Sequence, residues 1–424
     1  MQLVGNYLQL SKIYHIYLYV LFLGFLSLWM SPFLVSLVTV LSAIYVFVNY
    51  KALFSKNIKR VVFVSFTILL ISIVDAFLDG FSSIVSSKLL LLVGFVSILA
   101  SSFILFEKKK GNLIYFTLAI SLVVAVINVI ALSNYFMNMD FYDELLLQSK
   151  SIPIPNMHHI HFGIINACVI AVLVGLIVTK KLNNRFQLKL TTFLTIIITI
   201  SFHVLSSRTG LLSFYLGVVV SLVAYAFQKK SYKELILGFL MILTSLTMSY
   251  YFSNSFRNKI ENSIQDYNSW GKGDEINFKS MAMRIEASKM CIQIIKNNPF
   301  GVGANAQESI LQATYVKENT PLDIENRVGP HNQFLDFGVK YGWVGIILLI
   351  MFFISLIPVI QQSSFPLVAV ITIIFISLFF ESLLERQTGI FLFSFFIPLS
   401  VSLFKEEISH NYEKNMTSNS TSSL

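Results

Sequence analysis

Arg208 is the residue whose surroundings point most directly to chemistry. It lies in a Ser-Ser-Arg-Thr-Gly break at 206–210, between two apolar stretches. A guanidinium group binds two phosphate oxygens at once and keeps its charge at every relevant pH, which favours a phosphate clamp. The alternative is an interfacial arginine that reaches lipid headgroups. His331 follows Pro330 at the predicted start of a helix, and it could exchange a proton near neutral pH or simply be an interfacial residue.

Arg284 lies on a predicted amphipathic helix over 279–298. The apolar residues of this helix recur at helical spacing, and the proline at 299 ends it: Met283, Ala287, Met290 and Ile294. Arg284 stands one position off that stripe, so one interpretation is a surface arginine on a helix lying along a membrane. The Gly-Val-Gly sequence at 301–303 has no strand before it and no Gly-Lys-Ser after it, which predicts a structural turn and not a nucleotide loop.

Two further groups of polar residues are candidates for a site. Glu381 and Glu385 lie four positions apart in the turn at 380–389, where they could share a helix face or belong to a solvated turn. The His-His-Ile-His sequence at 158–161 has no acid or cysteine nearby at the spacing of a tetrahedral metal site. We therefore predict no metal there, and expect interfacial packing or contact with an anionic headgroup.

The composition predicts an all-α polytopic membrane protein. Of the 424 residues, 55% are hydrophobic and only 12% are charged, and the mean hydropathy is +0.72. Apolar runs long enough to cross a bilayer as helices recur along the chain. The predicted starts of twelve spans are near Ile13, Pro32, Val61, Leu89, Leu113, Phe162, Leu190, Leu211, Leu235, Trp343, Phe365 and Ile390. We expect nine spans in 1–252, one large polar loop at 253–342, three spans in 343–404, and a disordered tail at 405–424.

The basic residues predict the orientation in the membrane. One set of connections holds 17 of the 31 Lys and Arg residues and only five acidic residues. These connections should be cytoplasmic, which places both termini inside and the 253–342 loop outside. The net charge of +9 is then a topology signal and an attraction to membrane lipids, not a nucleic-acid footprint. The loop itself holds ten basic and ten acidic residues, so it is locally neutral.

Two other features bear on the class of function. No acid or base is placed convincingly at the bilayer centre, where ion-coupled transporters usually need one. This favours an enzyme that acts at the outer interface over a transporter. Of the two cysteines, only Cys291 falls outside the predicted spans, so no structural disulfide is expected. We predict no cofactor.

Taken together, these features resemble the O-antigen ligase and O-antigen polymerase family of bacterial envelope glycan assembly. The resemblance covers twelve spans, internal termini and the large loop between the ninth and tenth spans. Its motifs lie at 206–217, from the Ser-Arg-Thr-Gly sequence onward, and at 284–345. The second stretch includes Asn-Pro-Phe-Gly-Val-Gly at 298–303, His-Asn-Gln-Phe at 331–334 and Tyr-Gly-Trp-Val-Gly at 341–345.

The resemblance implies a GT-C-like bundle in the bacterial cytoplasmic membrane that performs metal-independent, inverting glycosyl transfer at the outer face. The donor would be a glycan on a polyprenyl diphosphate such as undecaprenyl diphosphate, and the acceptor another glycan or a lipid. The products would be O-antigen, lipopolysaccharide, capsule or exopolysaccharide. Arg208 and Arg284 would bind the diphosphate, and His331 would be the catalytic base. Possible accessory residues are Glu381, His161 and Asn332.

Three alternatives stay open at this stage. Ligase and polymerase differ only in the acceptor, and the motifs suit both. A lipid-linked oligosaccharide flippase would also have twelve spans, with a lesser role for the large loop. A peptidoglycan-type glycosyltransferase would use an acidic base in that loop, for which the candidates are Asp323, Glu325 and Asp336.

Overall fold

The computed structural model describes residues 2–55, 58–108, 112–147, 150–230, 232–272 and 275–405. Within them the chain forms sixteen α-helices and no named strand, which confirms the all-α expectation. The predicted tail beyond Lys405 lies outside the described residues. The helices are α1 (Gln2–Ser27), α2 (Pro32–Val48), α3 (Lys59–Asp79), α4 (Ser83–Lys108), α5 (Leu113–Met137), α6 (Met139–Leu147), α7 (His159–Val178), α8 (Arg185–Leu205), α9 (Arg208–Lys229), α10 (Tyr232–Phe252), α11 (Asn254–Lys272), α12 (Ser280–Asn297), α13 (Gln307–Lys317), α14 (Gln333–Ile360), α15 (Phe365–Ser377) and α16 (Gln387–Phe404).

The twelve predicted spans each fall on one of these helices. Nine helices in the described part are long and apolar enough to cross a membrane: α3, α4, α5, α7, α8, α9, α10, α14 and α16. The remaining three predicted spans coincide with shorter apolar helices, namely the second half of α1, and α2 and α15. Helices α6, α11, α12 and α13 are the additional ones, and three of these four lie in the predicted loop. We call the end of the bundle that carries them the loop end.

Helix α7 lies at the centre of the bundle. It is buried on nearly all sides and packs against α8, α9, α15 and α16, because its sequence is apolar around the whole helix. At the loop end, small residues let α7 and α9 approach closely. A Cβ atom built on Gly210 would lie 2.9 Å from the Cα of Gly163. This contact sets the start of α9, and with it Arg208, against the first turns of α7.

The loop has a small apolar core of its own. The predicted amphipathic helix is confirmed as α12, and its apolar stripe packs against α13 and the first part of α14. Buried in this cluster are Ala287, Met290, Ile294, Leu311 and Tyr315. Arg284 lies off the stripe, as the spacing predicts, so α12 can be held by its apolar face while the arginine remains available for polar contacts.

A backbone contact that we call the glycine interlock joins residues 299–303 to residues 339–343. Gly342 interrupts α14 with φ 63° and ψ −152°, so that its two parts lie on either side of a kink. Three hydrogen bonds cross the contact: Val302 N–H to Val339 O (2.9 Å), Gly303 N–H to Lys340 O (3.0 Å) and Trp343 N–H to Pro299 O (3.0 Å). The turn predicted at 301–303 is therefore present, and it fixes the kink that precedes the predicted tenth span.

Both central glycines of the interlock are required by space as well as by backbone conformation. Gly301 has φ 87°, and a Cβ atom there would lie 2.2 Å from the Lys340 carbonyl oxygen. A Cβ atom on Gly342 would lie 2.1 Å from the Pro299 carbonyl oxygen. Such distances are shorter than any real contact, so two backbone segments meet here that only glycine allows to approach.

A buried ionic network lies beside the interlock. Lys340 is 2% exposed, and its ammonium group donates to Asp336 at 2.6 Å and to Glu385. Gln307 donates to the other Asp336 oxygen at 2.7 Å, and Lys88 on α4 donates to Gln307 at 3.0 Å. The network therefore ties α4, α13, α14 and the turn before α16 together at the loop end.

Replacing Lys340 with methionine is expected to lower the thermal unfolding midpoint of the purified protein. Asp336 would keep a buried charge without its cation, and breaking such a buried pair costs about 3–5 kcal/mol. The control is Lys317→Met, since Lys317 is exposed at the end of α13. Adding Asp336→Asn to Lys340→Met should recover part of the loss. Equal midpoints for Lys340→Met and Lys317→Met would contradict the prediction.

Candidate functional site

Arg208 is the first residue of α9, at the joint where α8 ends. Ser206 adopts a left-handed backbone conformation with φ 42° and turns the chain between the two helices. The predicted break at 206–210 is therefore a tight helix-to-helix joint. The Arg208 guanidinium is partly exposed, and its Nη1 lies 3.9 Å from Oδ2 of Asp266 on α11. This separation is an ion pair but not a hydrogen bond, which leaves guanidinium donors available to a ligand.

Arg284 reaches from α12 to the turn before α16. Its Nη1 donates to the Phe380 carbonyl oxygen at 2.8 Å, and its Nη2 lies 3.9 Å from Oε2 of Glu381. Its side chain is only 26% exposed, so it is not the membrane-surface arginine that the alternative interpretation described. Burial lowers the pKa of the Arg284 guanidinium, and the Glu381 carboxylate offsets only part of this shift. The guanidinium groups of Arg284 and Arg208 lie close enough for their positive charges to repel each other.

His331 lies two residues before the first residue of α14, whereas the sequence predicted that it begins this helix. Helix α14 begins at Gln333, because the side chain of Asn332 caps it by accepting from the backbone N–H groups of Phe334 (2.9 Å) and Leu335 (3.1 Å). His331 itself has φ 43°, an uncommon conformation for a residue with a side chain. Its Nδ1 lies 3.5 Å from Oε2 of Glu381. Asn332 therefore fixes the start of α14, and with it the backbone next to His331.

Glu381 links Arg284 to His331. Glu381 is 4% exposed, and its Oε2 faces both the guanidinium and the imidazole without a hydrogen bond of its own among the described residues. Burial would raise the pKa of this carboxyl, but its interactions with His331, His161 and Arg284 outweigh that and hold the pKa at about 2. Glu381 is thus a carboxylate at any physiological pH, and it supplies a fixed negative charge beside the imidazole.

Glu381 and Glu385 do not share a helix face, which corrects one of the two sequence-based interpretations. Residues 383–385 form a single 3₁₀ turn, and Glu381 lies outside it. The two carboxylates consequently take different partners. Glu381 faces Arg284 and His331, while Glu385 contacts Lys340 and Lys88 in the ionic network.

The histidines at 158–161 lie at the start of α7, beside Glu381. His158 precedes the helix, and its ring centroid lies 4.5 Å from that of His159 and 5.8 Å from that of His161. His161 is 1% exposed, and its Nε2 has no hydrogen-bond partner among the described residues. No group of three or more His, Cys, Asp or Glu side chains in the described part is arranged to hold a metal ion.

Lys259 is a member of this cluster that the sequence did not single out. It is 7% exposed on α11, and its ammonium group donates to the Lys150 carbonyl oxygen (2.6 Å) and the Ser151 hydroxyl (2.9 Å). Burial, and then the charge of Arg208, lower its pKa to about 7. The signal was available in the pattern, because Lys259 and Asp266 are seven positions apart and therefore share one face of α11 with Phe256.

Asp266 is the second residue that the sequence did not single out. It is 3% exposed, and its Oδ2 accepts a hydrogen bond from the Met281 N–H at 3.0 Å. Met281 is in the first turn of α12, so this carboxylate satisfies one of the unpaired N–H groups at the helix start. The same oxygen is the one that faces Arg208. Asp266 therefore joins the helix that carries Arg284 to the arginine at the start of α9.

The assembled site has a distinct charge pattern. Arg208 and Arg284 each have one buried carboxylate 3.9 Å away, and Lys259 adds a third basic group next to Arg208. The basic groups outnumber the carboxylates, and the guanidinium donors are not saturated. Such an arrangement can bind an anion with two or more charges beside an imidazole.

Comparison with known proteins gives a match over part of the chain. A search among curated proteins found no match to the chain. The family model described as O-antigen ligase matches residues 193–350, which is less than half of the chain. The matched segment runs from α8 into α14 and contains Arg208, Arg284, His331 and Asn332, whereas Glu381 and His161 lie outside it. Residues 193–350 thus match the O-antigen ligase family model, which agrees with the resemblance predicted from the sequence.

Proposed function

We propose that this protein is a membrane glycosyltransferase that moves a glycan from a polyprenyl diphosphate to an acceptor. The reaction would take place at the outer face of the bacterial cytoplasmic membrane and need no metal ion. The observation that carries the proposal is the convergence of Arg208, Arg284 and His331 at the loop end, from three separate parts of the chain. The match of residues 193–350 to the O-antigen ligase family model supports ligase- or polymerase-type transfer.

The proposed reaction exchanges one bond at the anomeric carbon of the donor. The acceptor hydroxyl oxygen bonds to that carbon from the face opposite the diphosphate, so the configuration inverts. The bond from carbon to the diphosphate oxygen breaks, and the electron pair leaves with the lipid diphosphate. Arg208 and Arg284 stabilise the negative charge that develops on the diphosphate, and the partly buried site strengthens this interaction.

His331 takes the proton from the acceptor hydroxyl in this scheme. Its Nδ1 faces the Glu381 carboxylate, which favours the tautomer with the proton on Nδ1 and leaves Nε2 as the acceptor. Glu381 then also stabilises the imidazolium that forms. The acidic alternatives fit less well, because Asp336 is already paired with Lys340 and Gln307, and Asp323 and Glu325 are exposed.

The test is a reconstituted assay with a polyprenyl-diphosphate-linked glycan, run alone and with a candidate lipid acceptor. We expect release of polyprenyl diphosphate together with a new glycosidic bond, and no loss of activity in a metal chelator. Longer lipid-linked chains without added acceptor identify a polymerase, and transfer only with the acceptor identifies a ligase. Passage of the intact donor across the bilayer without bond exchange would overturn the proposal in favour of a transporter.

Binding of the diphosphate is expected to weaken as the pH rises through about 7, because the Lys259 ammonium loses its charge there. The sign follows from the lowered pKa, since the cation is present below this value and lost above it. Lys259→Arg keeps the charge and should bind with a smaller pH dependence. The affinity for farnesyl diphosphate is measured for both proteins over the same pH range. The ionisation of the ligand affects both proteins equally, so a difference between the two profiles comes from residue 259. An identical pH profile for the two proteins would count against a role of Lys259.

A further inference from the structure

Asp266 is the one buried carboxylate in the cluster that contacts neither His331 nor Arg284 in the described part of the site. Its Oδ2 accepts from the Met281 N–H at 3.0 Å and faces Arg208 Nη1 at 3.9 Å. We propose that Asp266 is a positioning residue with two effects on Arg208. It orients the guanidinium before the donor binds, and it lowers the affinity of Arg208 for the lipid diphosphate, so that the product can leave. This inference rests on the proposed function.

The geometry places the Asp266 charge where a bound phosphate must compete with it. The hydrogen bond from Met281 fixes the carboxylate on the start of α12, so it cannot simply move away when a ligand arrives. A guanidinium group pairs most strongly with an anion in direct, bidentate contact. Asp266 stops short of that contact, so Arg208 is neutralised in part but not occupied.

The two arginines differ in what their carboxylates do. The carboxylate that faces Arg284 is Glu381, which also faces His331, so removing it would disturb the proposed proton transfer. Asp266 acts on Arg208 alone among the proposed reacting groups. Its effect can therefore be separated from the chemical step, and it should appear in the affinity for the diphosphate.

Electrostatics gives the direction of the effect. A diphosphate that enters the site is attracted by Arg208 and repelled by the nearby Asp266 carboxylate. Asp266 is 3% exposed, so water screens this repulsion poorly. The same repulsion acts on the polyprenyl diphosphate that remains after transfer. Binding of donor and product should both tighten when the charge is removed, and release of the product should slow.

A purely structural role predicts the opposite result. If Asp266 only supports the start of α12, its loss should loosen the site and weaken binding. Asp266→Asn separates the two roles, because the amide oxygen can still accept from Met281 N–H while the charge on Arg208 is removed. Asp266→Ala removes both contacts and serves as the variant for the structural contribution.

The control is Glu286→Gln. Glu286 is a carboxylate on α12 that is 4% exposed, like Asp266, but its contacts are Trp270, Lys289 and Thr320 and not the arginines. The probe is farnesyl diphosphate, a short polyprenyl diphosphate, titrated into the purified full-length protein by calorimetry. Steady-state transfer with added farnesyl diphosphate as inhibitor gives the second readout.

We expect Asp266→Asn to bind farnesyl diphosphate about tenfold more tightly than the wild-type protein. Its inhibition constant should fall in parallel and its turnover should decrease, while Glu286→Gln binds as the wild type does. Equal or weaker binding by Asp266→Asn, with an unchanged thermal midpoint, would overturn the inference. Absence of binding to the wild-type protein would instead overturn the diphosphate-binding role in the proposed function.

Discussion

Replacing His331 with alanine is expected to abolish glycan transfer while the protein still inserts into the membrane. The imidazole would be the group that takes the acceptor proton, and a positioned general base typically contributes about 10²–10⁴-fold to a rate. His331 lies in a short connection before α14, and its side chain is 30% exposed, so its loss should not unfold the bundle. The measurement is transfer rate in the reconstituted assay, normalised to protein recovered from membranes.

The matched control for this variant is His15→Ala, since His15 lies on α1 and makes no described contact with the site. Glu381→Gln should give an intermediate loss, because the imidazole remains but its neighbouring charge is removed. If His331→Ala keeps wild-type transfer in the purified system, His331 is not the base. The acidic alternative would then be examined at Asp323 and Glu325.

Removing Arg208 or Arg284 is expected to lower the transfer rate by about 10²–10³-fold each, the range seen when one donor to a developing negative charge is lost. Lysine at either position should restore little, because an ammonium group cannot bind two phosphate oxygens in the planar geometry of a guanidinium. Farnesyl diphosphate affinity should fall in both variants. This separates them from His331→Ala, whose affinity should be retained.

Arg257→Ala is the control for the arginine variants. Arg257 lies on α11 in the same part of the chain, but it bonds to the Asn254 side chain on its own helix. It should retain both transfer and binding. If glycan display on cells survives His331→Ala, Arg208→Ala and Arg284→Ala alike, the enzymatic proposal fails as a whole.

Most of the fold was predictable because it depends on local composition. Apolar runs of sufficient length give helices in a membrane, and all twelve predicted spans are helices in the structure. The Ser-Ser-Arg-Thr-Gly break, the amphipathic α12 and the glycine turn also depend on short-range signals. The division into spans, loop and tail, and the orientation in the membrane, stay predictions that follow from the same patterns.

The partners within the site were not predictable, because they depend on how distant helices pack. Asp266 meets Arg208 across 58 positions of the chain, and Glu381 meets Arg284 across 97. The residues around each carboxylate in the sequence do not indicate which arginine it contacts. Lys259 could have been noticed because it shares one face of α11 with Phe256 and Asp266, but its approach to Arg208 arises only from packing. The conformation of His331 depends on the Asn332 cap, which moved the helix start by two residues.

The glycine interlock fixes one end of the helical segment that leads from the kink in α14 to His331. Nine helical residues at 333–341 separate the kink from the connection that holds His331, a length of about 14 Å at 1.5 Å per residue. At its other end this helical part is fixed by a hydrogen bond from Gln333 N–H to the Leu378 carbonyl oxygen at 2.8 Å. The first part of α14 is thus held at both ends, at a fixed length. In the proposed mechanism this would keep the reacting histidine at one height above the kink, whatever the length of the glycan that the donor carries.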